Sequence, residues 1–318
     1  MKFLRQTMLF FSLVTLLDAS PVSAQTIVRV AVAGAQAASI PFNVGIKKGI
    51  FAKQGLNVEM ITIVNGQTAA RAQLSGSVQL ATSNAVGFFY LVHQGAESVG
   101  IASWNNSSPY SLVSRVKIKD LSGLKGKKLA SSGAGGRSDA FIKFMMTKVG
   151  LDPRKDIQIL SLTGGSAVRL AAVLAGSIDA ALISYTQEKQ AQKLGLTVVP
   201  ISMEYIQGAI TTQKSYLEKN RNTVKAFLRG LAESVGAIRA DKEATISVIA
   251  RVLKTDDRES LEHAYEVLRS QVVADLYPTE PSIDSVLKTM SYEDPAFASI
   301  PPFKHFDLSL LQEIKAGQ

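Results

Sequence analysis

The clearest candidate for a ligand-binding site in this sequence is a run of small, hydroxyl-bearing and flexible residues that also contains an arginine. It reads SSGAGGRS from Ser131 to Ser138, between a predicted strand and a predicted helix. Amide groups at a helix start, together with serine hydroxyls, favour the binding of an oxyanion. Arg137 would add a bidentate hydrogen-bonded contact to a sulfonate or carboxylate. Ser131, Ser132, Gly133 and Arg137 are therefore candidate ligand contacts. The alternatives are an ordinary turn with Ser138 as N-cap and a surface position for the arginine.

The only tryptophan offers a second type of contact. Trp104 follows a predicted strand and precedes two asparagines, Asn105 and Asn106. An indole ring beside side-chain amide groups favours a binding site for a small polar molecule, because the ring excludes water while the amides form hydrogen bonds. A half-buried core position is the alternative for Trp104. We take Trp104 and Asn105 as candidate ligand contacts.

Two stretches of the chain resemble each other, from Ile63 to Asn84 and from Leu162 to Tyr185. Each predicts a strand, a glycine turn, a short helix, a glycine in the left-handed conformation at the helix end, and a second strand. Two copies this far apart indicate two similar lobes, since a solenoid needs at least three repeats at a shorter period. The residues that match at an offset of 100 are Leu74, Gly76 and Ser77 with Leu174, Gly176 and Ser177.

The less similar ends of the two copies hold further candidates. Asn84 and Tyr185 occupy equivalent places after the last strand of each copy, so we take both as candidate ligand contacts. Arg71 and Arg169 lie in the short helices. We expect both arginines to be solvated, with ligand contact as the less favoured alternative.

Alternating strands and helices predict parallel sheets covered by helices, in an α/β fold. Ligands bind beyond the carboxyl ends of the strands in such sheets. This rule also selects Gln36 and Ser39, in the loop after the predicted strand Ile27 to Ala33. From Ser215 onward the pattern changes to long amphipathic helices, which we expect to pack on the first lobe. The five loops selected by the rule are Gly34 to Ser39, Ser83 to Asn84, Trp104 to Ser108, Ser131 to Asp139, and Ser184 to Thr186.

Composition excludes several classes of function. The 318 residues predict about two domains, and their 46% hydrophobic content is enough for large cores. The absence of cysteine excludes disulfides, thiolate metal sites and cysteine catalysis. His93, His263 and His305 share no metal-ligand spacing, and the sequence lacks the G-x-S-x-G, H-E-x-x-H and Walker motifs. We therefore expect no metal, no cofactor and no enzyme. The net charge of +9 forms only one basic cluster, so nucleic acid is not an expected partner.

The N-terminus has the pattern of a secretory signal peptide. Lys2 and Arg5 precede an uncharged run from Met8 to Leu17, and small residues at Val22 to Ala24 offer a cleavage site. A membrane anchor is the alternative, but the run is shorter than the about 20 residues needed to span a bilayer. We expect residues 1–24 to be removed and the mature protein to be periplasmic. Without a cysteine it cannot carry a lipid on that residue.

Several segments carry a resemblance to a known family. The run PFNVGIKKGIFAKQGLNVEM, from Pro41 to Met60, resembles the opening of periplasmic substrate-binding proteins of ABC importers for nitrate, taurine and aliphatic sulfonates. The resemblance covers nearly the whole mature chain. Its further segments are LKGKKL at Leu124 to Leu129, VGLDP at Val149 to Pro153, SYLEKN at Ser215 to Asn220, and the units that begin at Leu74 and Leu174.

The resemblance implies a periplasmic-binding-protein-like fold, with two α/β lobes and a ligand cleft between them. We expect residues 25–112 and 208–318 to form lobe one and residues 113–207 to form lobe two. It implies a monomeric receptor that closes over a small anionic or zwitterionic solute and delivers it to a membrane permease driven by a separate ATPase. A related thiamine-precursor enzyme shares this fold but uses a cysteine-rich motif, which this chain lacks.

Two other functions stay open at this point. One is a small-molecule enzyme on the same two-lobe fold, for which Asp139, Asp179 and Tyr185 are the available acids or bases. The other is a ligand-sensing module that signals to a membrane partner and transports nothing.

Overall fold

The structure is a computed structural model with side chains. All but the last residue of the predicted signal peptide lies outside the part of the chain that it describes. Within that part, no helix is both long and apolar enough to cross a membrane. The described residues are 24–33, 36–63, 66–82, 85–108, 110–133 and 136–317.

Two five-stranded sheets form the framework. The first contains β1 (Thr26–Ala33), β2 (Leu56–Ile63), β3 (Leu80–Thr82), β4 (Ser98–Ser103) and β10 (Ala209–Gln213). The second contains β5 (Tyr110–Ser114), β6 (Lys128–Ser131), β7 (Gln158–Ser161), β8 (Ala180–Ser184) and β9 (Thr197–Pro200). Their orders are β2-β1-β3-β10-β4 and β7-β6-β8-β5-β9. In both, one strand (β10 or β5) runs antiparallel between its two neighbours. The two sheets therefore share one topology, as the sequence repeat predicts.

The chain passes between the sheets twice, from β4 to β5 and from β9 to β10. The predicted lobe boundary after residue 112 falls within β5, and the boundary before residue 208 falls just ahead of β10. The strands are assigned to sheets by their hydrogen bonds, whereas the division of the whole chain into lobes stays a prediction.

Strand β1 is the predicted strand, and its sequence explains its place. Val28, Val30 and Val32 are buried in the largest hydrophobic cluster, on one face of the first sheet. Ala31 is buried on the opposite face, in a smaller cluster with Ala69 and residues of β3. Because both faces are covered, the strand reads as a nearly continuous apolar run, which is typical of a parallel sheet.

The helices follow the predicted alternation. The helices that precede β10 are α1 (Ile40–Lys47), α2 (Ile50–Lys53), α3 (Gly66–Leu74), α4 (Ala85–His93), α5 (Arg137–Lys148), α6 (Ser166–Leu174) and α7 (Glu188–Lys193). Those of the C-terminal region are α8 (Lys214–Lys219), α9 (Arg221–Ala240), α10 (Lys242–Leu253), α11 (Arg258–Gln271), α12 (Glu280–Ser291) and α13 (Ser309–Ala316). Short 3-10 helices occupy Gln36–Ser39, Leu121–Leu124, Tyr185–Gln187 and Pro295–Ser299.

The repeated glycines have the predicted conformation. Gly76 follows α3 with φ +77°, and Gly176 follows α6 with φ +76°. Both lie in the left-handed region, where a residue without a Cβ atom is favoured. The predicted helix ends are therefore confirmed in both copies.

The C-terminal helices pack on the first sheet and also reach the second. Helix α9 packs against α1, and its residues Val224, Phe227 and Leu231 are buried at helical spacing, as expected. Helix α12 contacts both α4 and α5, while α11 contacts α7 and the 3-10 helix Tyr185–Gln187. The helical region thus joins elements of both sheets, in addition to the packing on lobe one that the sequence predicts.

Gly208, just before β10, allows a close contact that a larger residue would prevent. A Cβ atom there would lie 2.8 Å from the Asn105 amide nitrogen and 2.8 Å from two ring carbons of Trp104. We expect Gly208→Ala to lower the free energy of unfolding by about 1 to 3 kcal/mol, through overpacking. Urea denaturation followed by circular dichroism measures this change.

Gly236→Ala is the matched control. Gly236 lies within α9, and a Cβ atom there would meet nothing within 4 Å. Alanine should therefore raise the free energy of unfolding by about 0.5 to 1 kcal/mol. A loss of similar size in both variants would contradict a specific contact at Gly208.

Candidate functional site

A cleft of about 750 Å³ lies between elements of the two sheets. We call it the inter-sheet cleft. Its volume falls in the range of sites that enclose a small molecule. On one side it is lined by Ala37, which follows β1, and by residues between α10 and α11. On the other side it is lined by the start of α6, the end of β8 and helix α7. The lining residues are Ala37, Gly164, Gly165, Ser166, Ala167, Ser184, Thr186, Gln187, Gln190, Lys193, Leu194, Leu253, Lys254, Thr255, Asp257 and Ser260.

The start of α6 presents amide groups to this cleft. Gly164 and Gly165 have φ values of +104° and +88°, which turn the chain sharply before the helix. Gly165 is the N-cap, and as a glycine it has no side chain that could cap the amide groups of the first turn. The positive end of the helix dipole and the amide groups of the first turn therefore favour a negatively charged group here.

The end of β8 contributes polar side chains. The Thr186 hydroxyl donates to Ser184 Oγ at 3.0 Å. The amide oxygen of Gln187 is buried and has no hydrogen-bond partner among the described residues. A buried acceptor without a donor is costly, so a donor group on a bound molecule would relieve it. The amide groups at the start of α6 can donate hydrogen bonds to a negatively charged group, and the side-chain oxygen of Gln187 can accept one from a donor group. Together they favour an anionic or zwitterionic solute.

Ion pairs join the two sides of the cleft at its edge. Lys193 Nζ, on α7, lies 2.7 Å from an Asp257 carboxylate oxygen and 3.2 Å from Glu259. Lys189 Nζ lies 3.4 Å from Glu259. Hydrogen bonding from Lys193 lowers the pKa of Asp257 and of Glu259 below their usual values. We call the contacts of Lys189 and Lys193 with Asp257 and Glu259 the ion-pair clamp.

A more buried contact lies beside the clamp. Glu188 is 5% exposed, and its carboxylate accepts a hydrogen bond from the Ser111 hydroxyl of β5. The other carboxylate oxygen lies 2.5 Å from His263 Nε2, on α11. This contact joins β5, α7 and α11 in one place. His263 is therefore a hydrogen-bond partner of Glu188. Within the described residues no group of three His, Cys, Asp or Glu side chains could hold a metal ion.

Trp104 and Asn105 lie together in the core. Trp104 is 1% exposed, and its indole N–H donates to Thr82 Oγ1 at 3.2 Å. The Asn105 side-chain nitrogen donates to the amide oxygens of Gln207 and Gln271 at 3.3 and 3.1 Å. The Asn105 side-chain oxygen accepts from a backbone amide at 2.7 Å. Neither residue lines the inter-sheet cleft, and the role of both as ligand contacts stays a prediction.

The serine loop after β6 uses several of its own donors. The Ser132 amide donates to Ser138 Oγ at 2.7 Å, and the Gly133 amide donates to Ser131 Oγ at 3.2 Å. The N-cap of α5 is Gly136, without a side-chain capping bond. These bonds build the turn from strand to helix. The expected oxyanion cradle at these amides stays a prediction.

Four further candidates have different positions. Tyr185 is 3% exposed, lies in the main hydrophobic cluster and has no partner for its hydroxyl among the described residues. Burial raises the pKa of this hydroxyl. Gln36 and Ser39 begin and end a 3-10 helix, and Ser39 Oγ accepts from the Asn43 side chain at 3.1 Å. Asn84 lies outside the described residues.

The two arginines of the repeat have opposite positions. Arg71 is exposed, as expected. Arg169 is 4% exposed, and its Nε donates to the Leu182 carbonyl oxygen at 3.0 Å, so the expectation that it is solvated is wrong. It lies one residue before Leu170 and four before Val173, both buried, and so belongs to the inward face of α6.

Sequence reasoning missed the residues that line the cleft at α6. The glycine turn at Gly164 and Gly165 enters the sequence predictions only as part of the repeat, without a role in ligand binding. Ser166 and Gln187 carry no motif of their own. The usable signal was position, because a glycine turn before a helix follows the carboxyl end of β7.

Comparisons with known proteins agree with this architecture. A family profile described as NMT1/THI5 like matches residues 36–245. YtlA of Bacillus subtilis (strain 168), a protein to which a binding function is attributed, is 25% identical over 200 residues. That alignment covers 60% of this chain and 60% of YtlA, so the chain spans about 60% of the length of this curated relative.

Solved structures share the fold at low sequence identity. A protein from Bordetella bronchiseptica RB50 matches with a TM-score of 0.76 and 18% identity, covering 92% of this chain and 98% of that chain. The periplasmic aliphatic sulphonate binding protein SsuA from Escherichia coli matches with a TM-score of 0.68 and 18% identity, covering 88% and 91%. The predicted periplasmic-binding-protein fold is therefore confirmed.

The ion-pair clamp should respond to salt. We expect Lys193→Met to increase the radius of gyration at pH 7 and to make it insensitive to salt, because the main cation of the clamp is lost. Wild-type protein should expand when NaCl rises from 0.05 to 1 M, since salt screens exposed pairs. Small-angle X-ray scattering measures both effects.

The clamp should also respond to acid, in a direction fixed by the lowered pKa values. It is complete above the ordinary carboxylate pKa of about 4 and is lost as pH falls through the lowered folded values. Arg258→Met is the control, because Arg258 pairs with Glu243 and Glu262 within α10 and α11 only. Equal expansion of both variants at pH 7 would contradict a clamp between the two sides.

Proposed function

We propose that this chain, which belongs to the NMT1/THI5-like family, is the extracytoplasmic solute-binding receptor of an ABC-type importer. It captures a small anionic or zwitterionic solute, such as a sulfonate, taurine or nitrate, in the inter-sheet cleft. It then delivers the solute to a membrane permease that works with a separate ATPase. The mature protein is periplasmic and monomeric in this proposal.

The inter-sheet cleft is the observation that carries the proposal. Its walls come from elements of both sheets, so a molecule bound there touches both at once. A solute that contacts both walls stabilises the closed arrangement by the contacts that exist only there. The names of related proteins support binding as the function, since YtlA has an attributed binding function and SsuA binds aliphatic sulphonates.

Catalysis has less support from the same geometry. Of the three candidate groups, Asp139, Asp179 and Tyr185, none is among the lining residues of the cleft. Asp139 is paired with Lys143 at 2.8 Å, and Asp179 accepts from the Lys128 amide at 2.9 Å. Both carboxylates thus have local partners that account for them. Binding is therefore the function that the site favours.

A ligand screen on the purified mature chain tests the proposal. We expect at least one member of a panel of nitrate, alkanesulfonates, taurine, carboxylates and pyrimidines to raise the melting temperature. At a concentration of 100 times Kd the gain is about 2.7 kcal/mol, which corresponds to roughly 5 to 10 °C. Native mass spectrometry of the protein as purified reports any solute that it already holds.

Two tryptophan substitutions on α6 locate the bound molecule. Ala167 is exposed and lines the cleft, whereas Ala171 is exposed one turn further along α6 and does not line it. Ala167→Trp should abolish the shift, because the indole fills the cleft, and Ala171→Trp should leave it intact. Failure of every panel member in folded, ligand-free protein would count against a receptor, and an intact shift in both variants would count against this cleft.

A further inference from the structure

A buried cation on α6, the helix that packs on β8, has no acidic partner among the described residues. Arg169 is 4% exposed, and among the described residues the only hydrogen bond of its guanidinium is the one to the Leu182 carbonyl oxygen. No carboxylate of those residues forms an ion pair with it. Burial lowers the pKa of Arg169. A buried charge normally has an opposite charge or a set of hydrogen bonds to offset its desolvation. Within the described residues, Arg169 has a single hydrogen bond and no opposite charge to offset its desolvation.

A second arginine bonds to the neighbouring strand, since Leu182 pairs with Leu112, two residues from Tyr110 on β5. Arg137, the first residue of α5, donates from Nε to the Tyr110 hydroxyl at 2.9 Å, and its guanidinium carbon lies 5.3 Å from the centroid of that ring. Among the described residues it too forms no ion pair with a carboxylate. The charge of Arg137 adds to the effect of burial in lowering the pKa of Arg169. Two positive charges thus act on each other with no anion between them.

Two tyrosine hydroxyls complete a group rich in donors. The Tyr110 hydroxyl accepts from Arg137, which leaves its own proton to donate. The Tyr205 hydroxyl is buried and has no partner among the described residues. Both rings pack on Phe141, with centroid distances of 5.4 Å for Tyr110 and 4.9 Å for Tyr205. Guanidinium and phenol groups in this arrangement offer donors and positive charge, which is what an oxyanion requires.

Strand pairing connects the group to the inter-sheet cleft. The last pair between β6 and β8 is Ala130 with Ala181, so the Leu182 carbonyl bound by Arg169 lies just beyond it. After this point the chain leaves β6 toward β7 and leaves β8 toward β9, on the other side of the sheet. Such a divergence opens the crevice in which α/β sheets bind ligands. Ser184, which pairs with Tyr110 across β8 and β5, lines the cleft itself.

We propose that Arg137, Arg169 and the hydroxyls of Tyr110 and Tyr205 form an oxyanion-binding site at the inner end of the cleft. The site takes a sulfonate, carboxylate or nitrate-like group, either as the head of a solute or as a free inorganic ion. This inference rests on the proposed receptor function for the first source and stands without it for the second.

Arg137→Gln and Tyr205→Phe test the site, because neither side chain holds a backbone carbonyl as Arg169 does. Ligand-free Arg137→Gln should be at least as stable as wild type, since it removes repulsion between like charges. It should bind ethanesulfonate about 10 to 100 times more weakly, as expected for the loss of a hydrogen bond to a charged group. Arg71→Gln, at the exposed arginine of α3, should behave as wild type in both respects.

The measurement is thermal unfolding and calorimetric titration of the full mature chain at constant ionic strength. The probes are ethanesulfonate, its neutral counterpart ethanesulfonamide, sodium sulfate and sodium nitrate, each compared with chloride. Ethanesulfonate, but not the sulfonamide, should stabilise wild type. Stabilisation by sulfate or nitrate alone, lost in Arg137→Gln, also supports the site and identifies a free ion as its occupant.

Three outcomes would overturn the inference. One is unchanged ethanesulfonate affinity in both Arg137→Gln and Tyr205→Phe. Another is an Arg137→Gln variant that loses stability equally with and without the anions, which indicates a purely structural arginine. The third is wild-type protein that binds neutral solutes and no oxyanion, in which case the receptor proposal stands and the oxyanion site falls. If no solute binds but sulfate stabilises through Arg137, the receptor proposal falls and the site stands.

Discussion

The antiparallel strands β5 and β10 impose the constraint on which the rest of the structure depends. Each is inserted between neighbours of one sheet, so the chain must pass between the sheets once in each direction. A slip of a whole strand by one residue would turn its buried side chains to the opposite face, so the register of these ladders is strongly specified, with one local irregularity between Ile210 and Thr211 of β10. The passages also bring the start of β5 beside the end of β8, where Tyr110 pairs with Ser184. That pairing fixes the position of Ser184, which lines the inter-sheet cleft.

The elements of the fold could be predicted from local patterns, whereas the partners of polar side chains could not. Strand β1, the repeated helix ends and the long amphipathic helix α9 follow from apolar spacing and from glycine. Asn105 differs, because its side chain donates to Gln207 and Gln271, which lie more than 100 residues further along the chain. No short-range signal reports a contact of that kind.

The sequence repeat bears on the burial of Arg169. At the offset of 100 residues Arg169 matches Ala69, and both positions are buried, whereas Arg71 matches Ala171, and both are exposed. The repeat therefore assigns position 169 to an inward face. An arginine at an inward position, where the other copy of the repeat has alanine, indicates a functional role and not a solvated surface position. Composition and helix propensity carry no such information.

The Tyr185 ring makes two opposing contributions to the packing between elements of the two sheets. The second sheet contributes this side chain to the main cluster, which is otherwise built mostly on the first sheet. Burying the ring stabilises this packing, while leaving its hydroxyl without a partner among the described residues costs about 1 to 3 kcal/mol. In the proposed receptor, separation of the two sides of the cleft would remove apolar contacts of the ring and expose its hydroxyl to water. The two changes have opposite effects on the free energy, so this residue would oppose the separation less than its buried area suggests.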